Sequence, residues 1–63
     1  MKYIIQKTLQ GKFKYWLDGK GEWNGLKGSA HCFSEEAYTN RLVEKHQKKD
    51  GMAVVEKINI GFS

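Results

Sequence analysis

One stretch of the chain, residues 34–49, has both the spacing and the end signals of a helix, and it constrains the fold most. Ser34 is a favourable N-cap, and the two glutamates that follow it place negative charge at the positive end of the helix dipole. Lysines crowd the other end, where positive charge is favoured, and Gly51 supplies a stop. We therefore predict a helix over 35–49. Its side chains at helical spacing form one mostly apolar stripe: Tyr38, Thr39, Leu42, Val43 and His46.

A helix of this length is marginal alone in water, so it needs a surface to pack on. The rest of the chain has the alternation of β-strands, which we predict over 2–9, 12–17, 22–33 (irregular) and 52–60. The Asp-Gly pair at 18–19 is the strongest hairpin signal between them. The predicted fold class is α+β: a small antiparallel β-sheet of the order ββ(β)αβ, with one helix packed on one face. The sequence leaves the spatial order of the strands open.

The length and the charge of the chain favour binding over catalysis. We expect 63 residues to form a single domain, 1–63, that buries only about 60 % of the surface of its unfolded chain, which leaves little room for a catalytic cleft. Residues 1–33 carry six lysines against two acidic residues, whereas residues 34–63 carry five charges of each sign. The net charge of +4 therefore lies in the strand half, and it favours an anionic partner, either nucleic acid or an acidic protein surface.

The single cysteine, Cys32, cannot form an internal disulfide, so we expect a reducing compartment. The apolar run near the start of the chain, residues 3–5, is far too short for a signal peptide or a membrane span. We therefore expect a cytoplasmic protein without a membrane partner.

Two histidines and the cysteine are the residues that could carry chemistry. His31, Cys32 and His46 are zinc-ligand types, but a structural zinc site usually has four ligands at recognisable spacings, and two of these residues are adjacent. Cys32 as a nucleophile would need a nearby base, and a neighbour on the same strand points to the opposite face. We expect no catalysis, no metal and no cofactor, with Cys32 packed as a small apolar side chain and His46 half buried.

A basic, aromatic hairpin provides the candidate binding residues. Lys14 and Trp16 alternate with Phe13 and Tyr15, so Trp16 shares a face with the lysines. Lysines beside a stacking ring are typical of single-strand nucleic-acid binders, and aromatic anchors ringed by charge are equally typical of protein-binding hot spots. A further alternative is a cross-strand tryptophan pair that only stabilises the hairpin. The predicted binding residues are Lys12, Lys14, Trp16, Lys20 and Trp23.

An open sheet face or edge of this kind can also recruit a second copy of the chain. A homodimer is therefore a parallel prediction to a foreign partner. The binding hypothesis and the homodimer use the same exposed sheet, so the sequence does not separate them.

The chain resembles small phage- and prophage-encoded accessory proteins. The resemblance is carried by short motifs spread over most of the chain: Tyr3-Ile4-Ile5, Lys14-Tyr15-Trp16-Leu17, Gly21-Glu22-Trp23, Ala30 and Phe33-Ser34-Glu35-Glu36-Ala37. It implies an anti-defence role, like that of the small inhibitors of CRISPR effectors, which occupy a surface of a host protein or nucleoprotein complex without catalysis. Many such inhibitors are acidic mimics of DNA. Because this chain is basic, the favoured target is either an acidic protein patch or a nucleic-acid-bearing complex. The alternative function is a basic nucleic-acid-binding module that uses the same hairpin.

Overall fold

The computed structural model describes residues 1–61 of the chain. Within them, four strands form one antiparallel sheet in the order β3-β2-β1-β4, and one helix packs on one of its faces. This confirms the predicted α+β fold class. The elements are β1 (Lys2–Leu9), β2 (Phe13–Leu17), β3 (Trp23–Asn24), a 3₁₀ turn (Lys27–Ser29), α1 (Glu36–Lys49) and β4 (Ala53–Gly61).

Two tight turns set the register of the first three strands. Gln10 and Gly11, between β1 and β2, have φ angles of 55° and 67°, and the N–H of Lys12 donates to the carbonyl of Leu9 at 3.0 Å. After β2, the Asp18 carboxylate accepts the backbone N–H groups of residues 20 and 22, both at 2.9 Å. These two bonds close the turn that leads to β3, which the Asp-Gly pair at 18–19 predicted.

Strand β1 is central, and the alternation of its side chains divides the molecule into two faces. The face under α1, here called the covered face, carries Tyr3, Ile5, Lys7 and Leu9 of β1, with their neighbours Leu17, Trp23, Ala53 and Val55. The opposite face, here called the open face, carries Ile4, Gln6, Thr8, Lys14, Trp16, Val54, Glu56 and Ile58. A residue's position along its strand therefore decides which of the two faces it belongs to.

The hydrophobic core is small and lies at the centre of the covered face. Ile5 is fully buried, and Leu17 and Val55 are 2 % and 6 % exposed. The partly buried side chains packed against them come from β3, from the segment before α1 and from α1 itself: Trp23, Phe33, Leu42 and Val43. The core therefore joins the helix to three adjacent strands.

The start of α1 differs from the sequence prediction. The helix begins at Glu36, its N-cap is Glu35, and no side chain caps it, so the predicted Ser34 cap is wrong. The reason is a non-local contact: Tyr3 and Phe33 exchange two backbone hydrogen bonds of 2.8 Å, which hold the chain extended before the helix. The buried Thr39 hydroxyl donates to the Glu35 carbonyl at 2.7 Å inside the first turn.

The region predicted as an irregular strand over 22–33 forms only the two-residue strand β3, the 3₁₀ turn and the isolated bridge at Phe33. Strand β2 begins at Phe13 and β4 at Ala53, one residue later than predicted in both cases. The turn at 27–29 lies beside Ile4 and Ile58, and together they line a shallow depression at one end of the open face. Ile4 is only 3 % exposed there.

A glutamine of α1 ties the helix to the outer edge of the sheet. The Gln47 amide nitrogen donates to the carbonyls of Ala53 at 2.8 Å and Asp50 at 3.2 Å, and its oxygen accepts the Val55 N–H at 2.8 Å. Among residues 1–61, strand β4 has no neighbouring strand on that side. The side chain therefore supplies the partners that a further strand would otherwise provide.

We predict that Gln47→Ala lowers the free energy of unfolding by about 1–3 kcal/mol, because it leaves backbone groups of a half-buried edge without partners. Urea denaturation followed by circular dichroism measures this difference. Asn40→Ala is the matched control, since Asn40 is exposed on the same helix. Equal stability of the two variants would show that the glutamine tie contributes nothing.

Candidate functional site

The structure separates the predicted binding residues into two groups. Lys12, Lys14 and Lys20 are exposed, and Trp16 and Trp23 are half buried. Lys14 and Trp16 lie on the open face, with Lys12 in the adjoining turn. Trp23, in contrast, lies on the covered face. The structure therefore brings Lys14 and Trp16 together on the open face and leaves Trp23 outside that group. Lys12 and Lys20 lie in the two turns that flank β2.

Trp16 sits between two polar neighbours on the open face. Its register partners are Gln6 on β1 and Asn24 on β3. The indole N–H donates to the Gln6 side-chain oxygen at 3.2 Å, which fixes the orientation of the ring. A half-buried ring held in this way has little rotamer freedom left to lose when a partner binds.

Trp23 packs beneath α1 and contributes to the core. It lies opposite Leu17, its ring centroid is 5.3 Å from that of His46 in an edge-on arrangement, and the Lys7 ammonium is 4.7 Å from its ring centroid. Because the register places the two tryptophans on opposite faces, the alternative of a cross-strand pair with Trp16 is wrong. Trp23 stabilises the fold through ring and cation–π contacts.

The open face also carries aliphatic side chains that the sequence analysis did not propose as part of a site. Val54 is 58 % exposed, Ile60 near the end of β4 is 42 % exposed, and Ile58 is half buried. Thr8 lies between Val54 and Lys14 in the register of the sheet. The signal was present in the alternation of β4, whose more apolar set of residues faces away from the helix.

The lysines predicted as binding residues form no ion pairs within residues 1–61. The three ion pairs among residues 1–61 are Lys7–Asp50 at 3.3 Å, Lys57–Glu36 at 2.6 Å and Lys48–Glu44 at 3.5 Å. None of them uses Lys12, Lys14 or Lys20, although the Lys12 ammonium lies 5.6 Å from the Phe13 ring centroid. These three ammonium groups are available to an anionic partner.

Lys7 is a positive charge with a structural role that the sequence did not reveal. Its side chain is only 13 % exposed, on the covered face, where it pairs with Asp50 just after α1. The ammonium also lies 5.9 Å from the Tyr15 ring centroid, in addition to the contact with Trp23. Its position between Ile5 and Leu9 in the alternation was the only signal that it faces inward.

The histidines and the cysteine do not gather into a metal site: within residues 1–61, no group of three or more His, Cys, Asp or Glu side chains could hold a metal ion. Cys32 is exposed, so the expectation that it packs as an apolar side chain is wrong. His31 packs edge-on against Phe33, with 4.6 Å between ring centroids. His46 is half buried, as predicted.

Burial beside Trp23 lowers the pKa of His46 below its ordinary value, and the positive charges of Lys45, Lys49 and Lys7 lower it further. The three cations approach from α1 and from β1, and Asp50 near them is engaged by Lys7. His46 is therefore neutral at pH 7. As the pH falls, the unfolded state binds the proton at the ordinary pKa of histidine, before the folded state does. The free energy of unfolding therefore decreases as the pH falls from the ordinary pKa to the lowered pKa of His46.

We predict that an NMR titration of the imidazole signals finds the pKa of His46 below the ordinary value for histidine. Lys45→Gln should raise that pKa, because it removes the largest charge contribution. Lys48→Gln is the control, since it removes one charge from the same helix at a residue paired with Glu44. If both variants moved the pKa equally, the positive potential would not be local to the His46 side of the helix.

Comparison of the chain with protein-family models, with curated proteins and with solved structures finds no match. The only helix of eight or more residues among residues 1–61 is α1, and it is neither long nor apolar enough to cross a membrane. The geometry and charge of the two faces are therefore the only basis for inferring a function.

Proposed function

We propose that this chain is a small phage-type binding protein that docks on an acidic surface of a host protein or nucleoprotein complex and inhibits it without catalysis. The observation that carries the proposal is the open face. It holds an oriented tryptophan and exposed aliphatic side chains, and it lies beside lysines that have no ion-pair partner among residues 1–61. The docking surface is defined by Lys12, Lys14, Trp16, Val54 and Ile58.

The chemistry of the docking surface suits a protein partner. Trp16 on β2 gives a large aromatic anchor, and Val54 on β4 adds a second, aliphatic contact, with Gln6 and Thr8 of β1 between them. The lysines at its border would steer an acidic partner and set its orientation, more than they would add to the affinity. A surface of this kind inhibits by covering what the partner needs to expose.

The aliphatic part of the docking surface favours a protein over nucleic acid. Among residues 1–61, the open face of the sheet carries one aromatic ring, Trp16, whose indole N–H is already used by Gln6. Single-strand binders stack successive bases on several rings.

A nucleic-acid-binding module is the second candidate function, because Trp16 shares the open face with Lys14 and the turn that precedes β2 carries Lys12. Such binding would be only weakly specific, since no arginine lies in the hairpin to read bases. It would also depend steeply on salt, because the lysines would displace counterions from phosphates.

We predict that the triple variant Lys12→Ala, Lys14→Ala, Trp16→Ala stays folded and loses its host partner, with a dissociation constant raised about tenfold or more. Affinity capture followed by titration of the captured partner measures this loss. The double variant Arg41→Ala, Lys48→Ala is the control, since it removes the same charge from exposed positions of α1. A folded triple variant that keeps every partner at full affinity would refute the proposed docking surface.

The two candidate functions separate in a direct titration. Labelled single- and double-stranded DNA and RNA are added to the protein at low and at physiological salt. If the chain docks on a protein, we expect no binding tighter than millimolar at physiological salt. Micromolar binding with a steep salt dependence, lost in the same triple variant, would instead support the nucleic-acid module.

A further inference from the structure

A groove runs along α1 on the side of the molecule away from the docking surface. Its volume is about 570 Å³, and its walls are the helix on one side and the segments 17–21 and 31–35 on the other. We call it the helix groove. Small-molecule sites typically enclose about 300–1,000 Å³, so the helix groove has the size of a site for one small ligand.

The middle of the helix groove is apolar and lined with rings. Leu17 is nearly fully buried at its base, and Phe33 and Leu42 are half buried beside it. The Phe33 ring lies 6.1 Å from the Tyr38 ring and 4.6 Å from the His31 ring, centroid to centroid. A flat apolar group placed here would meet aromatic faces and edges.

One end of the helix groove is cationic. Lys45 and Lys49 are one turn apart on α1, both are exposed, and neither forms an ion pair within residues 1–61. His46 lies between them, and its ring nitrogens have no hydrogen-bond partner among the described residues. The acidic side chains nearest in sequence, Glu44 and Asp50, are engaged by Lys48 and Lys7. The Asp18 carboxylate, which also lines the groove, accepts the backbone N–H groups of residues 20 and 22.

The opposite end of the helix groove is acidic. Glu35 lies at the N-terminus of α1, ten residues before Lys45 and therefore roughly 15 Å away along the helix axis. An acidic peptide extended along the groove would bring its carboxylates next to Glu35. A ligand with a single anionic group at one end avoids that repulsion.

We propose that the helix groove binds a small organic anion with a planar apolar body. The body lies on Phe33 and Leu42, and the carboxylate, sulfonate or phosphate group lies between Lys45 and Lys49. The site is distinct from the docking surface, since it uses the covered side of the sheet and the exposed lysines of α1. Binding of such an anion in the helix groove is independent of whether the chain has the proposed docking function.

Anilinonaphthalene sulfonate is a suitable probe, because it combines a flat aromatic body with one anionic group. Its uncharged analogue, phenylnaphthylamine, lacks only that group. Both are titrated into the full chain, with binding followed by fluorescence and by amide shifts in ¹⁵N NMR spectra. We expect shifts confined to the helix groove for the sulfonate, and weaker binding of the neutral analogue.

Matched variants test the role of the lysines. Lys45→Gln, Lys49→Gln should weaken the sulfonate about fivefold or more at low salt and leave the neutral analogue unchanged. Arg41→Gln, Lys48→Gln removes the same charge from α1 outside the groove, so it should bind the sulfonate like the unmodified chain. Circular dichroism melts confirm that both double variants are folded.

Any of the following results would overturn the proposal. The two double variants bind the sulfonate with equal affinity, the unmodified chain binds the neutral analogue as tightly as the sulfonate, or the shifts map to the open face. A decaglutamate peptide that shifts Lys45 and Lys49 while the sulfonate does not bind would also overturn it. That last result would assign the groove to an acidic peptide.

Discussion

The structure depends on the burial of Ile5, Leu17 and Val55 beneath α1. These side chains come from three neighbouring strands, so the contact with the helix fixes the sheet and the helix together. A domain of this size buries little surface, and its stability margin is correspondingly small. The polar ties made by Lys7 with Asp50 and by Gln47 with β4 therefore matter more here than they would in a larger protein.

The same burial determines the surface. Because side chains alternate along a strand, placing Leu17 on the covered face places Trp16 and Lys14 on the open face. The docking surface is thus a direct consequence of the core. The helix groove follows from it too, since α1 packs mainly on β4 and β1, which leaves a gap beside Leu17 on the side of β2.

The sequence predicted the features that depend on local patterns and missed those that depend on contacts between distant segments. Alternation and helical spacing gave the fold class, and Trp16 is on the open face with Lys14. The face on which Trp23 lies could not be predicted in the same way, because it depends on the register across the 18–22 turn.

Ser34 satisfies the local rules for an N-cap, but the backbone bridge between Phe33 and Tyr3 makes the helix begin later. For β4, both faces carry apolar residues, so only the packing of Ala53 and Val55 against the helix side shows which face is buried.

The edges of the sheet, within residues 1–61, offer little backbone for pairing with another chain. An exposed edge strand pairs readily with another chain unless it is short or its backbone groups are engaged. One edge, β3, has only two residues. At the other edge, Gln47 engages Ala53 and Val55 at the start of β4, and the Asn59 side chain accepts the Gly61 N–H at 3.3 Å near its end. Only the middle of β4 is left to pair with a second copy, and there the Lys57 side chain is drawn toward Glu36 of the helix. Face-to-face docking through Trp16 therefore meets less resistance than extension of the sheet.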